Sequence, residues 1–251
     1  MKKSETGSRR SPAHTSFPAG MMSGIVRSMI VLAVAVPAQA QGVGAPYPKM
    51  AAIDQYLMTQ DAEVALARSA APESISKDAD ILVLDRHGYR MAIKGHNGFV
   101  CAVQRSWTAS LDSPDFWNPK LRAPTCFSAS AARSFLPRVI IRTKVVLAGK
   151  TKEQLSGEMK AAFEANQIPA IEPGSIAYML SKQGYLGDQV GHWHPHIMIY
   201  VPDGELAGWG ANLQGSPVLG ASDHTDRVTT LFIPVLKWSD GSADSGDNRS
   251  H

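Results

Sequence analysis

The sequence predicts an α+β fold in which a mostly antiparallel sheet carries a packed helical hairpin. Between residues 80 and 104, three apolar runs joined by two glycine-containing turns predict an N-terminal three-stranded meander. Further apolar runs over 176–180, 197–202 and 228–235 predict C-terminal strands. The segments between these two groups have helical periodicity, so we expect them to lie on the sheet.

Residues 1–40 are expected to be a signal peptide rather than part of the fold. A short apolar core over Met29 to Val36 follows Arg27, and Ala38-Gln39-Ala40 is typical of a signal-peptidase site, so we predict cleavage after Ala40. The core is too short to span a bilayer. We therefore expect a periplasmic or secreted protein with no stable membrane anchor after cleavage.

Removal of this leader also removes the basic character of the chain. The leader holds five of the 25 Lys and Arg residues and one of the 22 Asp and Glu residues, which leaves 20 and 21 and a net charge of −1. A basic field for nucleic acid is therefore absent, and we expect no nucleic-acid partner. Residues 41–238 are predicted to form a single α+β domain, and residues 239–251 a disordered tail.

Elements before the middle of the chain follow from local signals. An alanine-rich stretch from Lys49 to Ala70 predicts one helix or two, and the meander follows it. The proline-rich stretch from Trp107 to Phe127 is expected to be a long loop. The helical hairpin then starts near Pro137, and its second helix starts with a Thr151-x-x-Gln154 capping box.

The two cysteines, Cys101 and Cys126, both remain after the predicted cleavage. In an oxidising compartment a disulfide between them is the natural interpretation. Two buried free thiols are the alternative, because an unpaired cysteine is commonly a small core residue.

The segment Gly191-His192-Trp193-His194-Pro195-His196 carries the main functional prediction. In a regular strand, His192, His194 and His196 share one face and Trp193 lies on the other. Histidines two positions apart are about 6.6 Å apart along the strand, so two of them, but not all three, can share one metal ion. Pro195 favours a local bulge. The alternative is a structural face of hydrogen-bonded histidines.

The additional ligand is predicted to be His224, with Asp223 or Asp226 as the acceptor that orients its ring; Asp188 is a lesser candidate. Imidazole ligands suit zinc, and copper or nickel remain open. Three histidines and one open position would activate a bound water, as in metal-dependent hydrolases. The competing prediction is a non-catalytic periplasmic binding or structural protein. In that case tryptophans at positions 107, 117, 193 and 209 would line a surface for a small molecule or a partner.

The run from Gly191 to Pro202, together with the preceding Met179-Leu180-Ser181-Lys182-Gln183-Gly184-Tyr185-Leu186, resembles a segment of uncharacterised secreted bacterial proteins. The resemblance covers the C-terminal half of the chain. It implies export and no established activity.

Overall fold

The structure is a computed structural model that describes residues 46–191 and 193–245. The predicted leader, His192 and residues 246–251 of the predicted tail lie outside the described residues. All the described residues belong to one compact unit.

Eight strands form one sheet in the order β2-β1-β3-β4-β5-β6-β8-β7, and every neighbouring pair except β1 and β3 is antiparallel. The strands are β1 (Asp80–Asp85), β2 (Gly88–Ile93), β3 (Val100–Gln104), β4 (Ala123–Phe127), β5 (Ile176–Met179), β6 (His196–Pro202), β7 (Leu219–Asp223) and β8 (Val228–Pro234). The predicted α+β class and mostly antiparallel sheet are confirmed.

The predicted three-stranded meander is wrong, because β3 pairs in parallel with β1 rather than antiparallel with β2. The chain leaves β2 and crosses back, and His96 and Asn97 donate their backbone N–H groups to the carbonyl of Asp78. Asp80 then donates to the carbonyl of Phe99. The turn at residues 94–99 is therefore a crossover, which places β2 at the edge of the sheet.

Two strands were not predicted. The strand β4 lies inside the proline-rich stretch that was expected to be a loop, and Pro124 pairs with Val103 of β3. Strand β5 pairs only with Cys126 and Phe127 on the other side of β4, so the missing N–H of Pro124 is not needed there. The other unpredicted strand, β7, comes directly before His224 in the chain and forms the second edge of the sheet.

The helices cover both faces of the first half of the sheet rather than one face. They are α1 (Gln60–Arg68), α2 (Glu73–Ser76), α3 (Ala129–Ser134), α4 (Leu136–Leu147) and α5 (Lys152–Glu164), with short 3₁₀ turns at Ile53–Gln55, Ser106–Thr108 and Ala207–Trp209. On one face, Leu66 and Ala67 of α1 pack against Ile81 and Cys101. The opposite face packs against α4 through Val139.

The helical hairpin is formed by α4 and α5. Its second helix begins with the predicted capping box: Thr151 Oγ1 accepts from the Gln154 backbone N–H, and Gln154 Oε1 accepts from the Thr151 N–H. Leu155 and Met159 of α5 pack with Val146 of α4 in the core. Apolar residues four positions apart on α5 therefore determine which side of the helix is buried.

A disulfide joins Cys101 and Cys126, which are directly opposite each other on β3 and β4. The two Cα atoms are 3.9 Å apart, and both residues are fully buried. The predicted disulfide is confirmed.

Asn212 covers part of the free edge of β7. Its side-chain amide donates to the carbonyl of Gly220 and accepts from the N–H of Gly220, with distances of 2.8 and 2.9 Å. A side chain on Gly220 would meet Leu206 Cδ2 at 2.5 Å, so the Leu206 side chain would have to move to admit one.

In the described ranges, no helix is long and apolar enough to cross a membrane.

Candidate functional site

The histidine segment is only partly a strand. Strand β6 begins at His196, and residues 193–195 have irregular backbone. The Trp193 ring lies 4.7 Å from the His196 ring, so the two residues are on the same side, contrary to the predicted alternation. Pro195 accounts for the irregularity, because it has no N–H for a ladder. Its carbonyl accepts from Val235, and regular pairing with β8 starts at His196.

His196 is a buried, neutral imidazole. Only 2% of the residue is exposed, and burial lowers its pKa. Its Nδ1 lies 2.7 Å from the backbone carbonyl of His194. Because a carbonyl only accepts, Nδ1 carries the proton, and the lone pair of the neutral ring is on Nε2. His196 borders a small cavity that is also lined by Ser181, Leu186 and Trp193.

The ring of His194 is oriented by the carboxylate of Asp244. Its Nδ1 lies 2.5 Å from Asp244 Oδ2, and the side chains are 32% and 14% exposed. Asp244 is fixed in turn, because its N–H donates to the carbonyl of Leu236 and a bridge joins Lys237 to Ala243. The first part of the predicted tail, residues 239–245, therefore forms an ordered turn.

His224 lies at the other end of β6. His196 pairs with Pro234, whereas Asp223, next to His224, pairs with Val228, which itself pairs with Pro202. Pro202 is six positions after His196 in the strand, so the two ends are on the order of 20 Å apart. The structure therefore does not bring His224 together with His194 and His196. The fourth predicted histidine, His192, lies outside the described residues.

The environment of His224 is a separate ion pair. Its side chain is 84% exposed, and Nδ1 lies 2.6 Å from Asp203 Oδ2. The hydrogen bond to Asp203 raises the pKa of His224. Within residues 46–191 and 193–245, no three His, Cys, Asp or Glu side chains form a group that could hold a metal ion.

The predicted acidic neighbours also have other roles. Asp226 and Asp223 accept hydrogen bonds from the buried Arg142, at 2.8 and 3.3 Å. Asp188 accepts from Tyr47 and Tyr185, and these hydrogen bonds lower its pKa to about 2. None of these three carboxylates bonds to a histidine among the described residues.

A cleft of about 210 Å³ lies next to His196 on the same face of the sheet. Met198, Tyr200 and Phe232 form part of its floor, and Phe135 and Leu186 form part of its walls. The hydroxyl of Tyr200 is buried, and among the described residues its one acceptor is the Met198 thioether, at 3.7 Å. Burial raises its pKa. The cleft shares Met179 and Leu186 with the cavity beside His196.

This cleft was not predicted, although the alternation of His196, Met198 and Tyr200 indicates that the three residues share one face. The four tryptophans do not form one surface. Trp107 is fully buried and donates to Thr143 Oγ1, and Trp117 packs in the same core, whereas Trp209 is 44% exposed. The predicted tryptophan-lined surface is therefore wrong.

Comparisons with known proteins add no assignment: no family model, no curated protein and no solved structure matches the chain.

Proposed function

We propose that this chain is an exported protein that binds a divalent transition metal, zinc foremost, through Nε2 of His194 and Nε2 of His196. One observation carries the proposal: both Nδ1 atoms are occupied, one by the Asp244 carboxylate and the other by a backbone carbonyl. Metal-binding histidines are usually held in this way, because the acceptor on one nitrogen directs the lone pair of the other toward the ion.

The spacing of the two histidines supports a shared ion. Residues two positions apart lie at most about 7 Å apart even on a fully extended chain, and Zn–N bonds are roughly 2.0–2.1 Å long. The His196 ring turns back toward residue 194, as its bond to the His194 carbonyl requires. His192, two positions earlier, is the candidate for a third ligand in this proposal, and His224 has no part in it.

Export is part of the same proposal. The apolar segment followed by Ala38-Gln39-Ala40 supports a cleaved leader, and the Cys101–Cys126 disulfide supports an oxidising compartment. A site with two or three histidines leaves a coordination position for water, whose pKa zinc can lower to about 7. Hydrolysis is accordingly the reaction class that the proposal includes.

The test is elemental analysis of protein purified from the periplasm without a histidine tag. We expect near-stoichiometric metal in the wild type and loss of metal in His194→Ala, whose side chain is only part-buried. His224→Ala is the matched control, and it should retain the metal. Wild-type protein that takes up no added zinc, copper or nickel, or a His194→Ala variant that retains full metal, would refute the proposal.

The cleft favours a second function, non-catalytic binding of a small apolar molecule. Its walls are largely aromatic and aliphatic, and the Tyr200 hydroxyl is available as a polar contact. Native mass spectrometry of the purified protein should then detect a bound small molecule, and Tyr200→Phe should weaken its retention. Retention that His194→Ala leaves intact would separate this function from metal binding.

A further inference from the structure

A second cavity, of about 270 Å³, lies at the Pro202 end of β6, between α4, the end of α5 and residues 168–171. Two arginines, Arg138 and Arg227, line it together with the ring of Phe163. We propose that this cavity binds a small organic acid, in which a carboxylate contacts the two guanidinium groups and an apolar body contacts the remaining walls. His196 lies at the opposite end of the strand, so this proposal does not depend on the metal site.

Among the described residues, no acidic side chain forms a hydrogen bond with the buried guanidinium of Arg138. The residue is 1% exposed. Its Nε donates to the backbone carbonyl of Asp226 at 2.9 Å, and its Nη1 donates to the backbone carbonyl of Ser134. No acceptor among the described residues bonds to Nη2. A buried guanidinium that retains an unused donor and borders a cavity is suited to bind an anion.

The surrounding carboxylates bond to other groups. The carboxylate of Asp226 accepts from Arg142, Glu172 pairs with Arg133, and Asp203 pairs with His224. Burial lowers the pKa of Arg138 to about 10, which still leaves its side chain charged at neutral pH. Among the described residues, no carboxylate therefore hydrogen-bonds to either guanidinium group that lines the cavity, although Asp226 lies close enough to Arg138 to attract its charge.

Arg227 supplies the second cation. Its guanidinium lies 4.6 Å from the centre of the Phe163 ring, and that of Arg138 lies 5.2 Å from the same centre. The two charges are therefore within about 10 Å of each other, since both contact one ring. Arg227 has a left-handed backbone with φ of 50°, which is uncommon for a residue other than glycine. The exposed side chain of Arg227 lines the cavity together with the buried guanidinium of Arg138.

The remaining walls define the rest of the ligand. Ile168, Ile171 and Pro202 are apolar and line the same cavity. Its volume is near the lower end of the range of roughly 300–1,000 Å³ typical of ligand pockets. A single ring or a short alkyl chain therefore fits beside the carboxylate. Inorganic phosphate would satisfy the charges and leave the apolar walls in contact with water.

The experiment is a calorimetric titration of the full exported chain with benzoate and with hexanoate. Benzamide serves as the uncharged control, and inorganic phosphate tests charge alone. We expect at least one of the two acids to bind. Benzamide, which lacks the carboxylate, and phosphate, which lacks the apolar body, should each bind more weakly by about tenfold or more.

Arg227→Gln is the decisive variant, because the exposed side chain can be replaced without opening the core. We expect it to weaken binding of the acid by about tenfold. Arg86→Gln, which removes an exposed arginine outside the cavity, should leave the affinity unchanged. The proposal is overturned if neither acid binds at millimolar concentration, if benzamide or phosphate binds as well as the acid, or if Arg227→Gln binds like the wild type.

Discussion

The two halves of the sheet differ in how deeply their strands are buried. In the first half, β1 and β3 lie between helices on both faces, and four successive residues of β1, from Ile81 to Leu84, are buried. In the second half, β6 alternates between buried and partly exposed residues. Cavities border its buried face at His196 and next to Pro202. The first half is therefore more deeply buried, and each candidate site includes residues at or next to β6 in the second half.

Two buried arginines make this difference concrete. Arg105 and Glu63 have fully buried side chains and contact each other at 2.9 Å, and Arg105 also donates to the carbonyl of Tyr56. Arg138 is equally buried, but among the described residues it bonds only to backbone carbonyls. A buried charge with its counter-ion belongs to the fold, whereas one that lacks a counter-ion is available to a ligand.

The largest expected change in the free energy of unfolding comes from removing the counter-ion of Arg105. Glu63→Gln keeps the shape of the side chain but leaves the Arg105 charge buried without a counter-ion. We expect a loss of about 3–5 kcal/mol in the free energy of unfolding, measured by urea denaturation. Asp54→Asn, which removes the partner of the exposed Arg86, should cost no more than about 1 kcal/mol. Equal effects in the two variants would contradict the assignment of Arg105 to the structural core.

Removal of the disulfide is expected to have the next largest effect. The Cys101→Ala/Cys126→Ala variant opens a loop with a sequence separation of 25 residues. We expect a loss of about 3 kcal/mol in the free energy of unfolding. Reductant should destabilise the wild type and leave this variant unaffected. A reductant effect on the variant would show that the measurement reports something other than this bond.

A smaller effect is expected at the start of α5. Thr151→Ala removes the side-chain acceptor for the Gln154 N–H and should cost about 1 kcal/mol, again by urea denaturation. Thr151→Ser keeps the hydroxyl and should recover most of the loss. A serine variant as unstable as the alanine variant would show that the methyl group, not the cap, is responsible.

The smallest effect is a pH dependence at His196. Its pKa is lowered in the fold from the ordinary value of 6.5, so the unfolded chain takes up the proton first as the pH falls. Stability should therefore fall as the pH drops below about 6.5, by less than about 1 kcal/mol at pH 6. His196→Gln should remove this slope when unfolding is compared at pH 7 and pH 6.

His224 is expected to change the stability with pH in the opposite direction. Its pKa is raised by Asp203, so its contribution is present below 6.5 and lost as the pH rises through its folded-state pKa. His224→Ala should therefore remove a stabilisation that appears at low pH. If the two histidine variants change the pH dependence in the same direction, the environments assigned to the two ends of β6 are wrong.

Local signals explain what the sequence predicted correctly. The capping box of α5 involves residues three apart, and the hairpin of β1 and β2 closes at Gly88, so both are determined by short stretches of chain. The disulfide followed from the presence of only two cysteines. The order of the strands depends on non-local pairing, so the parallel contact of β1 with β3 has no equally local signal.

The candidate sites depend on still more distant contacts. Asp244 orients a histidine 50 positions earlier, and the Arg138 side chain bonds to a carbonyl 88 positions later. The sequence identified His194 and His196 as special, because three alternating histidines are conspicuous. It assigned His224 to them because the loop bearing His224 precedes the last strand, but the antiparallel register places that loop at the far end of β6.

The amide of Asn212 has a consequence for how two molecules of this protein meet in solution. Strand β7 ends the sheet, and an open strand edge can pair with an identical edge of another molecule and begin an aggregate. By bonding both backbone groups of Gly220, the Asn212 side chain takes the place that a ninth strand would occupy at that point. A single surface side chain thus helps to keep the sheet from growing into a fibril.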